Sequence, residues 1–203
     1  TSGFETSLRK LNPDLILVAG FHRLIPNNVI EIPRKAIINL HPSLLPRHRG
    51  GTPNRWVIRY GEKETGVTAH FVNERFDCGD LIRPEKLAVR PNETWGELEL
   101  RSMKLAGKVV YRLLDLVKQD QPVGTPQTNE NASYDPPFNK EYTKIDWSLP
   151  AQEIKQLCYA IRPKSGGMTY LNEHKLCIWD LEVLDDANSV QRPVLVADRK
   201  RVV

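Results

Sequence analysis

Two polar side chains stand one residue apart in an otherwise apolar run, Asn39 and His41 in Ile37-Ile38-Asn39-Leu40-His41-Pro42. In an extended backbone alternate residues share a face, so an amide and an imidazole come side by side while Leu40 turns away into the core. An amide can donate N–H groups to an oxygen that gains negative charge, and an imidazole with a pKa of about 6.5 can shuttle protons at neutral pH. A turn-like run further on, Phe76-Asp77-Cys78-Gly79-Asp80, offers two carboxylates that could orient the ring or act on a reacting amine through water. The chemistry open to such a set is acyl-type transfer.

The elements that must position these groups follow from the pattern around them. Ala36-Ile37-Ile38 is a buried strand, Pro42 and Pro46 end it, and Gly50-Gly51 turns the chain back. In open α/β sheets ligands bind at such strand ends. An earlier strand is expected over residues 14–20, after a short helical piece near 7–11, and Pro26 opens a short helix over 27–32. Thr52 is placed to N-cap a helix with Pro53 in its first turn and Trp56, Val57 and Tyr60 on its apolar stripe. Arg47, Arg49, Arg55 and Arg59 make this side basic, either as a solvated face or as contacts for a phosphate or carboxylate.

Alternation over residues 68–72 indicates a strand that delivers the loop 73–80. Residues 81–89 form an extended stretch, broken near Pro84 and placed at a sheet edge. Thr94-Trp95-Gly96-Glu97 is a capping box. It opens a long amphipathic helix carrying Leu98, Met103, Leu105, Val109, Val110, Leu113, Leu114 and Val117, ending near Gln119. Residues 121–138, rich in Pro, Asn, Gln, Thr and Ser, form a linker or a surface-hugging loop. Ser148 then N-caps a helix carrying Ile154, Leu157, Cys158 and Ile161, and strands are expected over 169–171, 176–184 and 194–197.

With 203 residues, 40% of them apolar, the chain allows one large domain, or one domain plus a small appendage. No apolar run approaches the ~18 residues that span a membrane, and the N-terminus lacks a secretory pattern. Cys78, Cys158 and Cys177 show no metal-like or C-x-x-C spacing, so free thiols in a reducing, cytoplasmic setting are expected. His41, His48, His70 and Asp77 include no tight ligand pair, and no metal is expected. The net charge of +4 is compatible with anionic ligands without selecting one.

Four blocks in order then resemble the folate-dependent formyltransferases: Asn39-Leu40-His41-Pro42-Ser43-Leu44-Leu45-Pro46, Arg49-Gly50, Gly61 to Thr68, and Asp77 with its neighbours. The resemblance implies 10-formyltetrahydrofolate as formyl donor, a primary amine as acceptor, and Asn39, His41 and Asp77 as catalytic residues, with Asp80 holding the loop. It implies a folate site at Phe21, His22, Arg23, Leu24 and Ile25, with Asn73, Glu74 and Phe76 in the later loop. The implied fold is α/β, a partial, mostly parallel nucleotide-binding-like sheet whose N-terminal strands are missing from this chain. The division that follows is a catalytic part over 1–120, a linker over 121–147 and the start of a small oligonucleotide-binding-like barrel over 148–203. Asp146-Trp147-Ser148, Pro163-Lys164-Ser165-Gly166 and Lys175 to Trp179 resemble the tail of methionyl-tRNA formyltransferase and of some amino-sugar formyltransferases. The acceptor is therefore initiator methionyl-tRNA or an amino sugar nucleotide. A formyl hydrolase, or a folate-binding remnant without turnover, shares the same residues. An unpaired sheet edge would favour self-association.

Overall fold

The computed structural model describes residues 2–119 and 123–183. Its first half runs α1 (Ser2–Leu11), β1 (Leu15–Ala19), α2 (Asn27–Ile30), β2 (Ala36–His41), β3 (Arg49–Gly50), α3 (Pro53–Arg59), β4 (Glu64–Phe71) and β5 (Leu81–Ala88). It continues with α4 (Trp95–Lys118), β6 (Tyr134–Asp135), a 3-10 turn over Lys140–Thr143, α5 (Ala151–Ile161), β7 (Gly167–Leu171) and β8 (His174–Ile178).

Four strands form the main sheet in the order β1-β2-β4-β5. Only β1 and β2 are parallel; β4 lies antiparallel to both β2 and β5. Among the described strands the sheet is thus mixed, where the sequence led to a mostly parallel one. Parallel neighbours need a crossover, which the α2 segment supplies, whereas the loop 72–80 is short enough to fold β5 back as a hairpin. Pro84 does not break β5. It pairs opposite Thr68 on a strand whose other side is the sheet edge, where a missing N–H costs nothing.

One face of the sheet is dry. Ala36, Ile38 and Leu40 of β2 and Val67 and Ala69 of β4 pack against Val109, Leu113 and Val117 of α4. The capping box at Thr94 and Glu97 starts α4 as expected. Leu98, Val109, Leu113 and Val117 are buried, but Met103 and Leu114 face outward. With period two along the strands, Asn39, His41, Thr68 and His70 point to the opposite face. A second cluster joins Val57 and Ile58 of α3, Leu98 of α4 and Ala160 of α5.

Two expected caps are not formed. Thr52 sits at the N-cap position of α3 with φ of 58°, in the left-handed region, and its side chain caps nothing. Pro53 starts α3 without it. Ser148 instead bonds the Asp146 carboxylate through both its N–H (2.9 Å) and its hydroxyl (2.6 Å), and Pro150 occupies the N-cap of α5. The stripe of α3 buries Trp56 and Val57 but leaves Tyr60 exposed. Beyond α5, the described strands are the β7–β8 hairpin; residues 179–183 are irregular, and the strand expected over 194–197 lies outside the described residues.

Residues 123–139 behave as the surface-hugging alternative, not as a free linker. Thr125 exchanges both backbone hydrogen bonds with Leu81, and β6 pairs in parallel with β3. Truncating the fully buried Ile38 to alanine is expected to cost about 2–5 kcal/mol, and Thr94→Ala about 1 kcal/mol. Urea denaturation of both variants checks that order.

Candidate active site

β2 and β4 are in a register that sets Asn39 opposite His70 and His41 opposite Thr68. Between Ala69 and His70 the β4–β5 register jumps, a bulge of the kind that re-aims side chains. The loop after β4 then brings Asp77 over the strand ends with φ of 52°, a conformation that aspartate tolerates better than most residues. Two residues on, a Cβ at Gly79 would lie 1.8 Å from the Phe71 carbonyl oxygen, so only glycine lets the hairpin close this tightly.

Asp77 is the hub. Its Oδ1 accepts from Asn39 Nδ2 at 3.2 Å and lies 3.5 Å from both His41 Nδ1 and His70 Nε2. Its Oδ2 accepts the Gly50 N–H at 2.9 Å. Asp80 is exposed, and its backbone carbonyl closes the hairpin to Phe71 N. Asp77 is therefore the carboxylate that the fold brings to Asn39 and His41.

Hydrogen-bond partners fix the tautomers. His70 Nδ1 lies 2.8 Å from the Phe71 carbonyl and must donate to it, which leaves Nε2 to accept from Asn39 Nδ2 at 3.1 Å. His41 Nε2 lies 2.7 Å from the His48 carbonyl and carries the hydrogen there. The Nδ1 lone pair of a neutral His41 consequently faces Asp77. Both N–H groups of Asn39 are engaged, one by His70 and one by Asp77, so an incoming oxygen must compete for one of them.

Burial lowers the pKa of His41 from its ordinary 6.5, against the opposing pull of Asp77 and the His48 carbonyl, so the ring is neutral near pH 7. Burial raises that of Asp77, but the His70 ring, the His41 ring and the Gly50 N–H outweigh it and hold the carboxyl below its ordinary 3.8. The signs differ in consequence. The stabilisation from ionised Asp77 is present above 3.8 and is lost as pH falls through its lower folded value. His41 binds protons more readily unfolded than folded, so stability also falls as pH drops below 6.5.

Beside this set lies an open cleft lined by Phe21, Arg23, Leu24, Ile25, Asn73 and Phe76, together with Val18, Asn39, His70, Val72, Arg75 and Asp77. Two residues expected there are elsewhere. His22, in the irregular segment after β1, is exposed and does not line the cleft. Glu74 lines a neighbouring cleft with Arg49 and Tyr134, since the Asn73 side chain accepts the Arg75 N–H and bends the loop there. Among the four arginines after the motif, Arg47 pairs with Glu62, and Arg49 bonds Gln127 and Asn129. Arg55 stacks 4.0 Å over Trp95, and Arg59 reaches the Glu153 carbonyl.

Sequence reasoning weighed His70 only as a candidate metal ligand and passed over Gln127. His70 looked like one member of an alternating strand, and only the β2–β4 register turns it toward Asn39. Gln127 lies in a stretch without periodicity, yet its Nε2 donates to the carbonyls of Asp77 (2.8 Å) and Gly79 (2.7 Å). Its Oε1 accepts from Arg49. Among the described residues no group of three or more His, Cys, Asp or Glu side chains could hold a metal ion. The three cysteines are free, and burial pushes the Cys158 thiol up to about 11. No helix of the described residues is long and apolar enough to cross a membrane.

Comparison with known proteins shows the family. Residues 2–114 match the formyl transferase family model, and residues 137–202 match that of the formyl transferase C-terminal domain. The chain belongs to the formyl transferase family. It is 35% identical over 186 residues to methionyl-tRNA formyltransferase of Clostridioides difficile, covering 92% of this chain and 60% of that protein. The chain thus spans about 60% of the length of curated relatives that it matches. HypX from Aquifex aeolicus, solved with tetrahydrofolic acid, shares the fold with a TM-score of 0.73 at 21% identity, over 86% of this chain and 30% of that one. An N-formyltransferase from Helicobacter canadensis, solved with folinic acid and dTDP-3-aminofucose, gives 0.64 at 22% identity, over 71% of this chain and 53% of that one.

Two outcomes follow. Histidine ring NMR is expected to give His41 a titration midpoint below 6.5, lowered further in Asp77→Asn because a charge that favours the protonated ring is gone. Gly79→Ala is expected to cost about 2 kcal/mol or more in chemical denaturation and to disturb the ring signals of both His41 and His70.

Proposed function

We propose that the chain carries out formyl transfer from 10-formyltetrahydrofolate to a primary amine, with Asn39, His41 and Asp77 as catalytic residues. The observation that supports this most is the meeting of those three side chains on one sheet face, at the rim of the cleft of Phe21, Arg23, Leu24, Ile25, Asn73 and Phe76. Family membership gives the reaction class. The donor is inferred from relatives solved with tetrahydrofolic or folinic acid.

In this reading the folate ring lies in the cleft against Leu24, Ile25 and Phe76, with its formyl group toward Asn39. The amine nitrogen bonds to the formyl carbon, and the carbonyl oxygen becomes an oxyanion that takes over one N–H of Asn39. The amine proton passes to His41 Nδ1, where the ionised Asp77 stabilises the imidazolium. Collapse of the oxyanion breaks the bond to the folate nitrogen, which receives that proton. His41 starts neutral, as a proton acceptor must, and no group on the enzyme becomes covalently attached. The acceptor that the curated relatives favour is initiator methionyl-tRNA. An amino sugar nucleotide is the second reading, favoured by the Helicobacter enzyme's bound dTDP-3-aminofucose.

We further propose that residues 1–120 are the catalytic part, with 121–147 as the linker and 148–203 beginning a barrel subdomain, in a cytoplasmic protein. The β1 edge, where Leu17 is exposed, is the surface proposed for self-association; Leu17→Lys is expected to lower the mass seen by light scattering if it is.

The test is tetrahydrofolate release from 10-formyltetrahydrofolate by the full chain, with methionyl-tRNA and an amino sugar nucleotide offered separately. His41→Ala and Asp77→Asn are each expected to lower kcat/KM by about 10²–10⁴. Folate binding without turnover would turn the assignment to a binding remnant. A folded chain that binds no folate would overturn the cleft assignment.

A further inference from the structure

A second histidine, His48, has no part in the proposed chemistry, and its surroundings are unusually polar for a buried ring. It is 4% exposed and its backbone is left-handed, with φ of 59°. Nδ1 lies 2.6 Å from Asp135 Oδ2, and Nε2 lies 3.0 Å from Glu62 Oε1. Two carboxylates on opposite ring nitrogens require both nitrogens to donate, so the bridge is an imidazolium held between Asp135 and Glu62. The other charged and polar groups facing it are Arg47, which pairs with Glu62, the Tyr60 ring stacked 6.2 Å away, and the His41 ring on β2. Two cations and two carboxylates thus balance.

The same residue supplies the carbonyl that accepts His41 Nε2–H at 2.7 Å. Its left-handed turn is braced along the backbone by residues 133–135. Ser133 Oγ accepts the His48 N–H at 2.8 Å, the Ser133 carbonyl accepts the Arg49 N–H at 2.9 Å, and Gly50 pairs with Asp135. A Cβ at Gly50 would come within 2.4 Å of the Asp135 carbonyl oxygen, so only glycine lets the two segments approach this closely.

We propose that Asp135, His48 and Glu62 form a positioning bridge for the active site, in which the carboxylate–imidazolium–carboxylate contact locks the turn at His48 and thereby fixes the tautomer and ring orientation of His41. Its catalytic consequence rests on the formyl-transfer reading; its effect on the His41 ring does not. The bridge makes residues 133–135, from the polar stretch beyond α4, a structural part of the site. His48 and Asp135 are positioning residues, since neither touches the proposed cleft.

The experiment uses the full chain with ¹⁵N-labelled histidine, comparing wild type with Asp135→Asn and His48→Gln. Ring spectra are expected to show His41 as a single Nε2–H tautomer in wild type. In both variants they are expected to show mixed tautomers and a displaced titration midpoint. Folate binding measured by calorimetry should stay within about twofold, while kcat falls roughly tenfold at unchanged KM, a part of what positioned proton transfer contributes. Circular dichroism identifies a variant that fails to fold, in which case the other one decides. Unchanged His41 ring signals in a folded variant would overturn the bridge, whatever the activity does. Absence of turnover in wild type, with His41 signals still displaced in the variants, would overturn the formyl-transfer reading and leave the bridge standing.

Discussion

Asp77 is a largely buried carboxylate, and the site is built around the cost of keeping it ionised. Removing a charge from water is expensive unless hydrogen bonds and opposite partial charges replace the lost solvent. Here hydrogen bonds come from the Asn39 amide on β2 and the Gly50 N–H on β3, and the His41 ring of β2 and the His70 ring of β4 pack 3.5 Å from the carboxylate. These groups lie on three separate strands, so the carboxylate gains its surroundings only when the sheet, the hairpin and the turn after β2 are assembled together. The proposed catalytic arrangement and a folding constraint are the same set of contacts.

That dependence explains the division of the main sheet into a dry face and a polar one. α4 covers Ile38, Leu40, Val67 and Ala69 and fixes the register of β2 against β4. Register decides the polar face as well, because a slip of one residue would turn Asn39 and His41 into the core and bring Leu40 out. The apolar packing therefore holds the candidate active site in place without touching it.

Residues 123–139 extend the same logic. Gln127 pins the Asp77 loop through two backbone carbonyls, and Asp135 meets His48 beneath the turn that carries Gly50. A stretch that by composition resembles a spacer closes one side of the site. Its contacts are side chain to backbone and charge to charge, and these leave no periodic trace in a sequence.

What the sequence determined by itself was whatever depends on near neighbours in the chain. The alternation at Asn39 and His41, the prolines that end β2 and the capping box at Thr94 are local, and they stand where expected. The block from Asn39 to Pro46, with Asp77 at its family separation, was enough to recognise the family. Local rules were also where it erred, at Thr52 and Ser148, because a better hydrogen-bond partner or a left-handed backbone displaced the expected cap. Only the tertiary structure decided that the sheet is mixed, that His70 stands opposite Asn39, and that Gln127 and Asp135 reach back to Asp77 and His48. Those outcomes depend on strand register and on pairs of residues dozens of positions apart. Their energies arise from burial and charge pairing that exist only once the chain has closed on itself.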